Sequence, residues 1–159
     1  MKLTSTAFEE GGRIPDEYTC EGANISPPLA FARVPAIARS LVLTMENPDA
    51  PSGLWTHWLV WNIPPGTDTI TRAERIRYVQ GTTSSSSVGY LGPGPPSGVH
   101  SYYFRLYALD TMLGLRSYSR GSELQSALQG HVIARAELMG TYQRAAKAAG
   151  RPENGTTIL

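Results

Sequence analysis

The chain has 159 residues, of which 41% are hydrophobic and 17% charged, which is the size and composition of one globular domain. Its 14 basic and 13 acidic residues leave a formal net charge of +1, so nucleic-acid binding is not expected. The lone cysteine, Cys20, excludes an intrachain disulfide. The chain has no apolar run of the roughly 20 residues that span a bilayer and no apolar leader, so we expect a cytoplasmic protein without membrane insertion.

Three segments predict β-strands. Residues 40–46 (SLVLTME) are apolar and β-branched, residues 56–63 (THWLVWNI) end before two prolines, and residues 101–109 (SYYFRLYAL) alternate between two faces. Loops rich in glycine and proline separate these strands, with no alternating helices. This pattern favours an antiparallel β-sandwich over an α/β sheet.

The remaining segments are less regular. Residues 82–88 (TTSSSSV) predict a mobile loop, and residues 122–129 predict a helix that Ser122 caps and Gly130 ends in the left-handed conformation. Residues 131–142 fit a helix or a strand equally well. We expect one domain over 1–144 and a flexible tail over 145–159.

Two short clusters contain polar side chains beside these strands. In the first, Asn47-Pro48-Asp49-Ala50-Pro51, two prolines restrict the backbone around Asp49, which either caps the turn or serves a binding site. In the second, His57 lies between Trp55 and Trp58. A histidine there either bonds a backbone carbonyl or acts as an anion donor or proton shuttle.

The third cluster, residues 89–102 (GYLGPGPPSGVHSY), is the most informative. Its glycines at 89, 92, 94 and 98 allow close approach of a ligand, and its prolines stiffen the loop. The loop leads to His100 and Tyr102, whose i, i+2 spacing places both side chains on one face of a strand. A connecting loop rarely has so many constraints, so this pattern favours a functional site.

Other chemistry-bearing residues give weaker signals. His131 follows the predicted helix end and is interpreted as structural. Cys20 has no histidine near it in sequence and is interpreted as a packed or idle thiol. The sequence contains no phosphate-loop, zinc-protease or serine-hydrolase motif, so we expect no metal and no cofactor.

These motifs resemble the phosphatidylethanolamine-binding protein (PEBP) family, in particular its short bacterial branch described as Raf-kinase-inhibitor-like. The matching stretches are IPDEYTCEGANISPPL (14–29), NPDAP (47–51), THWLVWNIPP (56–65), GYLGPGPPSGVHSYYFRLYALD (89–110) and GHVIARAELMGTY (130–142). They follow the family order and cover most of the chain.

The resemblance implies a Greek-key β-sandwich with a few short peripheral helices and a strand over 131–142. It also implies an anion-accepting pocket at one end of the sandwich. By motif position, the ligand-binding residues are Asn47, Asp49, His57, Tyr90, Gly92, Pro93, Gly94, His100 and Tyr102. We expect His57, His100 and Tyr102 to act as donors, Asp49 to orient a histidine or the loop, and Trp55 and Trp58 to form an apolar wall.

Three positions depart from the family pattern. The family commonly has aspartate where this chain has Asn47, and its bacterial branch commonly has cysteine at the position of Gly94 and arginine at that of Ser101. An amide at position 47 can donate as well as accept, unlike a carboxylate.

Three functions remain open. The first is a ligand-binding protein for a phosphorylated or carboxylated small metabolite, with a regulatory role as one option. The second is an enzyme that uses His57, His100, Tyr102 and Asp49 for acid–base chemistry such as cyclisation, isomerisation or hydrolysis. The third is an interaction module with a vestigial pocket. A homodimer is compatible with the sequence, whereas the protein partner is not indicated.

Overall fold

The structure, a computed structural model, describes residues 1–145 of the chain. This part forms strands β1 (Lys2–Thr4), β2 (Leu29–Ala32), β3 (Ser40–Asn47), β4 (Trp55–Ile63), β5 (Thr69–Ile70), β6 (Val79–Gln80), β7 (His100–Leu109) and β8 (Val132–Tyr142). It also forms a 3-10 turn (Asp16–Tyr18) and one α-helix, α1 (Gly121–Leu128). Apart from Ala145, the tail predicted for 145–159 lies outside the described residues.

The strands form two antiparallel sheets. The larger has the order β6-β4-β3-β7-β8 and the smaller the order β1-β2-β5. This arrangement confirms the predicted mainly antiparallel β fold. The three predicted strands correspond to β3, β4 and β7, and the segment that fitted either helix or strand is β8.

The main core lies between the two sheets. On β7, Tyr102, Phe104 and Leu106 are buried on one face, while Tyr103 and Arg105 are partly exposed on the other, as the alternation predicts. Residues from both sheets complete this core, among them Leu3, Phe31, Met45, Trp58 and Leu138. Each fully buried side chain of this size contributes about 1.5 to 3 kcal/mol to folding.

Helix α1 covers the opposite face of the larger sheet. Leu124 and Leu128 from the helix pack there with side chains of three strands, namely Val42, Leu59, Trp61, Tyr107 and Leu109. The predicted cap at Ser122 is wrong, because the helix begins at Gly121 and the backbone N–H of Arg120 donates to Glu123 at 2.9 Å. Gly130 has a φ of 81°, the left-handed conformation predicted after the helix.

Hydroxyl groups hold the serine-rich loop over residues 82–88. The hydroxyl of Thr83 lies 3.1 Å from that of Ser85 and 2.8 Å from that of Ser87. Arg120 donates to the Thr83 carbonyl at 3.2 Å and to the Ser86 hydroxyl at 3.0 Å. The loop is therefore tied to the residue that precedes α1.

The antiparallel register brings the predicted functional motifs to one end of the larger sheet. Asn47, at the end of β3, is paired with Trp55 at the start of β4. Glu46 is paired with Tyr103, and His100, at the start of β7, is paired with Tyr142 at the end of β8. Four strand ends that are distant in sequence therefore meet at one end of the sandwich.

Candidate functional site

A cavity of about 460 Å³ lies at this end of the sandwich. Strand ends and the loops that join them supply its lining: Cys20, Asn47, Ala50, Pro51, Ser52, Trp55, His57, Leu91, Gly92, Gly94, Pro95, Pro96, His100, Tyr102 and Arg144. Most of the lining is apolar. The few polar groups therefore determine which ligand atoms the pocket can accept.

His57 is bonded to the backbone by one ring nitrogen. Its Nδ1 lies 2.6 Å from the carbonyl oxygen of Leu91, and because a carbonyl only accepts, Nδ1 carries the proton. Burial lowers the pKa of the His57 imidazole to about 4, although the bond to Leu91 partly opposes this shift. The ring is neutral at neutral pH with a lone pair on Nε2. In this tautomer His57 offers a ligand an acceptor, whereas the sequence predicts a donor.

His100 has the opposite arrangement. The side-chain amide of Asn47 lies with its Nδ2 2.9 Å from Nδ1 of His100, and its Oδ1 accepts the backbone N–H of Asp49 at 2.8 Å. Because the amide nitrogen can only donate, Nδ1 of His100 is the acceptor, and the neutral ring carries its proton on Nε2. His100 thus retains the N–H donor that the sequence predicts.

The hydroxyl of Tyr102 has no hydrogen-bond partner. Tyr102 is 0% exposed, and its hydroxyl oxygen is buried without a bond to the described protein. Its ring meets that of His57 edge to face, with centroids 5.2 Å apart and an interplanar angle of 82°. Burial raises the pKa of Tyr102 above its usual value, so the group remains a neutral donor and acceptor.

Two of the lining residues, Cys20 and Arg144, lie far along the chain from the three predicted clusters. Arg144 follows β8, and its guanidinium donates to the carbonyl oxygens of Pro95 at 2.7 Å and Gly94 at 3.3 Å. Cys20, interpreted as packed or idle, is exposed and lines the cavity, with its backbone N–H donating to Pro93 at 2.9 Å. Both reach the pocket through the 89–98 loop, a tertiary contact that has no signal in the sequence.

Three predicted site residues support the pocket without lining it. Asp49 accepts the backbone N–H of Ser101 at 2.7 Å, which agrees with its expected role in orienting a loop. Tyr90 is directed into the core, where its hydroxyl donates to the Tyr18 carbonyl at 2.7 Å. The carbonyl of Pro93 accepts the backbone N–H of Cys20. The prediction that these side chains contact a ligand directly is therefore not supported by the geometry.

The apolar wall is formed by only one of the two expected tryptophans. Trp55 lines the cavity, but Trp58 is buried in the core, where its Nε1 donates to Gln80 at 2.9 Å. The ring of Tyr90 packs edge to face against Trp58, with centroids 5.3 Å apart. The expectation for Trp58 is therefore wrong.

The glycines of the 89–98 loop meet two different requirements. Gly89 and Gly98 have φ angles of 100° and 74°, which favour glycine. Gly92 and Gly94 lie against other parts of the chain, where an added Cβ would be 2.3 Å from the Tyr18 carbonyl oxygen and 2.9 Å from the Cys20 sulfur, respectively. Gly92 and Gly94 both line the cavity, so the absence of a side chain at these two positions determines its shape there.

These features define an antiparallel β-sandwich with a small pocket at the end of its larger sheet. The family model described as "Phosphatidylethanolamine-binding protein" matches residues 4–143. A UPF0098 protein of Methanothermobacter thermautotrophicus is 49% identical over 150 residues, which cover 91% of this chain and 99% of the relative.

Two solved structures are similar over the same share of the chain. The putative PEBP homolog CT736 of Chlamydia trachomatis has a TM-score of 0.88 and 45% identity, with 91% of this chain and 97% of that one covered. YbcL of E. coli, described as a member of the mammalian PEBP family, has a TM-score of 0.85 and 30% identity, with 91% and 98% covered. The chain belongs to the PEBP family. Among residues 1–145, no helix is long and apolar enough to cross a membrane.

Proposed function

We propose that the protein binds a small molecule through a phosphoryl or carboxylate group held in the end pocket. The observation that carries this proposal is the Tyr102 hydroxyl, which is buried at the pocket without a partner. An unpaired buried hydroxyl costs about 1 to 3 kcal/mol, and a ligand oxygen would recover that cost. The matching family model is named for a phospholipid, whose headgroup contains a phosphate.

The other polar groups of the pocket fit the same ligand. His100 offers an Nε2–H donor, and the Arg144 guanidinium provides a permanent positive charge. Asp49, which follows β3, accepts the backbone N–H of Ser101 and does not line the cavity. An anionic oxygen in the pocket would thus meet two neutral donors and a cation.

The proposal is tested by titrating the isotope-labelled full chain with inorganic phosphate, methyl phosphate and acetate while following the histidine side chains by NMR. We expect Tyr102→Phe to weaken binding about tenfold without loss of stability, because the free protein loses only an unpaired hydroxyl. Tyr103→Phe is the matched control, since Tyr103 lies on the opposite face of β7. Absence of saturable shifts with every probe would overturn the proposal.

One observation favours an enzyme as the second candidate. His57 and His100 line the same cavity, and at neutral pH one offers a lone pair on Nε2 and the other an N–H on Nε2. A base and an acid that coexist in one pocket are the requirements for proton transfer at carbon. Exchange of carbon-bound hydrogen for deuterium in a small carbonyl acid such as pyruvate tests this activity. Exchange that persists in both His57→Gln and His100→Gln would exclude it.

A further inference from the structure

We propose that Asn47 makes the pocket selective for an oxyacid group that still carries a proton, such as inorganic phosphate or a singly protonated phosphomonoester. Sulfate and phosphodiesters, which carry no such proton at neutral pH, are the disfavoured class. The inference rests on the anionic ligand proposed above and specifies its chemistry. It follows from the direction of the hydrogen bonds in the pocket.

A chain of hydrogen-bond donors that begins at the backbone fixes the tautomer of His100. The N–H of Asp49 donates to Oδ1 of Asn47 at 2.8 Å, which fixes the amide so that Nδ2 points to His100. A backbone N–H cannot act as an acceptor, so this chain cannot reverse. It ends with a proton on Nε2 of His100, the ring nitrogen that is free to contact a ligand.

The other histidine of the pocket, His57, provides a hydrogen-bond acceptor. The proton of His57 is engaged with the Leu91 carbonyl at 2.6 Å, which leaves Nε2 with a lone pair. The Tyr102 hydroxyl is on the neighbouring ring, whose centroid lies 5.2 Å from that of His57. The pocket therefore presents N–H and O–H donors together with one nitrogen acceptor.

Hydrogen phosphate satisfies both kinds of group. Its unprotonated oxygens accept from His100 and Tyr102, while its P–OH donates to Nε2 of His57. Sulfate and a phosphodiester offer only acceptors, so one of their oxygens would face the His57 lone pair. One unpaired buried acceptor corresponds to a loss of about 10- to 100-fold in affinity. Arg144 attracts each of these anions by charge and does not create this preference.

Aspartate, which the family commonly has at position 47, would reverse the direction of the hydrogen bond between this position and His100. A carboxylate has no proton to donate, so Nδ1 of His100 would have to carry one and donate it. In the neutral ring Nε2 would then be a second acceptor. Asn47 acts through His100 and is a positioning residue that sets which groups the pocket can bind.

The tautomers can be read without any ligand from the ¹⁵N resonances of the three histidines in the full chain at neutral pH. We expect the proton on Nε2 in His100 and on Nδ1 in His57. Asn47→Asp moves the His100 proton to Nδ1. Asn62→Asp is the matched control, since Asn62 also bonds through both ends of its amide, to the Leu113 carbonyl at 2.9 Å and N–H at 2.8 Å. A wild-type His100 with its proton on Nδ1 overturns the inference.

The selectivity is measured in the same spectra by titration with inorganic phosphate, sulfate and dimethyl phosphate. We expect phosphate to bind at least about tenfold more tightly than sulfate or dimethyl phosphate. Sulfate binding as tight as phosphate would overturn this inference but leave the proposed anion pocket in place. Dimethyl phosphate binding as tight as phosphate would overturn it in the same way and point to a phosphodiester ligand. Failure of all three to bind would overturn this inference, and the proposed anion pocket would fall with it only if methyl phosphate and acetate also fail to bind.

Discussion

The sulfur of Cys20 occupies the space that a side chain at position 94 would need. A Cβ built on Gly94 would lie 2.9 Å from Sγ of Cys20 and 3.3 Å from its Cβ. The position where the bacterial branch commonly has cysteine is thus glycine in this chain, and a thiol from a distant segment fills the adjacent space. The two residues should therefore be coupled energetically.

We expect Gly94→Ala to lower the free energy of unfolding by about 1 kcal/mol, because the Cys20 thiol can rotate away. Gly92→Ala should cost about 3 kcal/mol, because its Cβ would meet the rigid backbone of Tyr18 and Thr19. Urea unfolding measures both changes. The effect of Gly94→Ala should largely disappear in a Cys20→Gly background, and equal effects in the two backgrounds would contradict the coupling.

The buried imidazole of His57 should make stability depend on pH. Its pKa is about 4 in the folded protein against 6.5 without the fold, so the unfolded chain binds more protons between these values. Stability is thus fully present above pH 6.5 and falls by about 3 kcal/mol as the pH drops to 4. Urea unfolding across this range should show the loss in wild type and a smaller loss in His57→Gln. Identical pH profiles would contradict the assignment.

A partly buried ion pair on the outer face of the larger sheet should contribute more than an exposed one. Arg105 donates to Glu46 at 3.0 Å, and Glu46 is only 4% exposed, while burial raises the pKa of its carboxyl despite Arg105. Arg105→Met would leave that carboxylate unpaired, with a loss of about 3 kcal/mol at neutral pH. Arg72→Met removes the exposed pair with Glu17 and should cost less than about 1 kcal/mol. Similar losses in thermal or urea unfolding would contradict this difference.

The hydroxyl of Thr44 in the middle of β3 is buried and has no hydrogen-bond partner among residues 1–145. Thr44→Val keeps the shape and removes the unpaired oxygen, so we expect a gain of about 1 kcal/mol in the free energy of unfolding. Ser40 on the same strand is the control, since its hydroxyl donates to the Thr111 carbonyl at 2.6 Å. Ser40→Ala should lower stability by about 1 kcal/mol, and a stability loss in Thr44→Val would contradict the argument.

Strands β3, β4 and β7 can be predicted from the sequence because the hydrophobic pattern of a strand lies within its own few residues. The alternation on β7 predicts its buried face, and the turn residues on either side define its length. By contrast, β8 fits a helix equally well by its pattern, and only its pairing with β7 makes it a strand. The predicted N-terminus of α1 is wrong because the helix begins at Gly121, before Ser122, and the preceding residue Arg120 donates its backbone N–H to Glu123.

The pocket was predicted in outline through the resemblance, but its chemistry was not. The sequence shows that the pocket contains two histidines. It does not show their tautomers, because these depend on the Leu91 carbonyl and on the orientation of the Asn47 amide. Arg144 and Cys20 are not indicated as pocket residues by the sequence, because they lie far along the chain from the three clusters that supply the predicted site. They join the pocket only when the 89–98 loop folds over them.

Cys20 and Arg144 line the same cavity although 123 residues lie between them along the chain. During synthesis Cys20 leaves the ribosome long before Arg144. A nascent chain that stops before residue 144 lacks the guanidinium that bonds the Gly94 and Pro95 carbonyls. The pocket is therefore complete only after residue 144 has been synthesised, and a ligand that needs the Arg144 guanidinium can stabilise only a chain of at least that length.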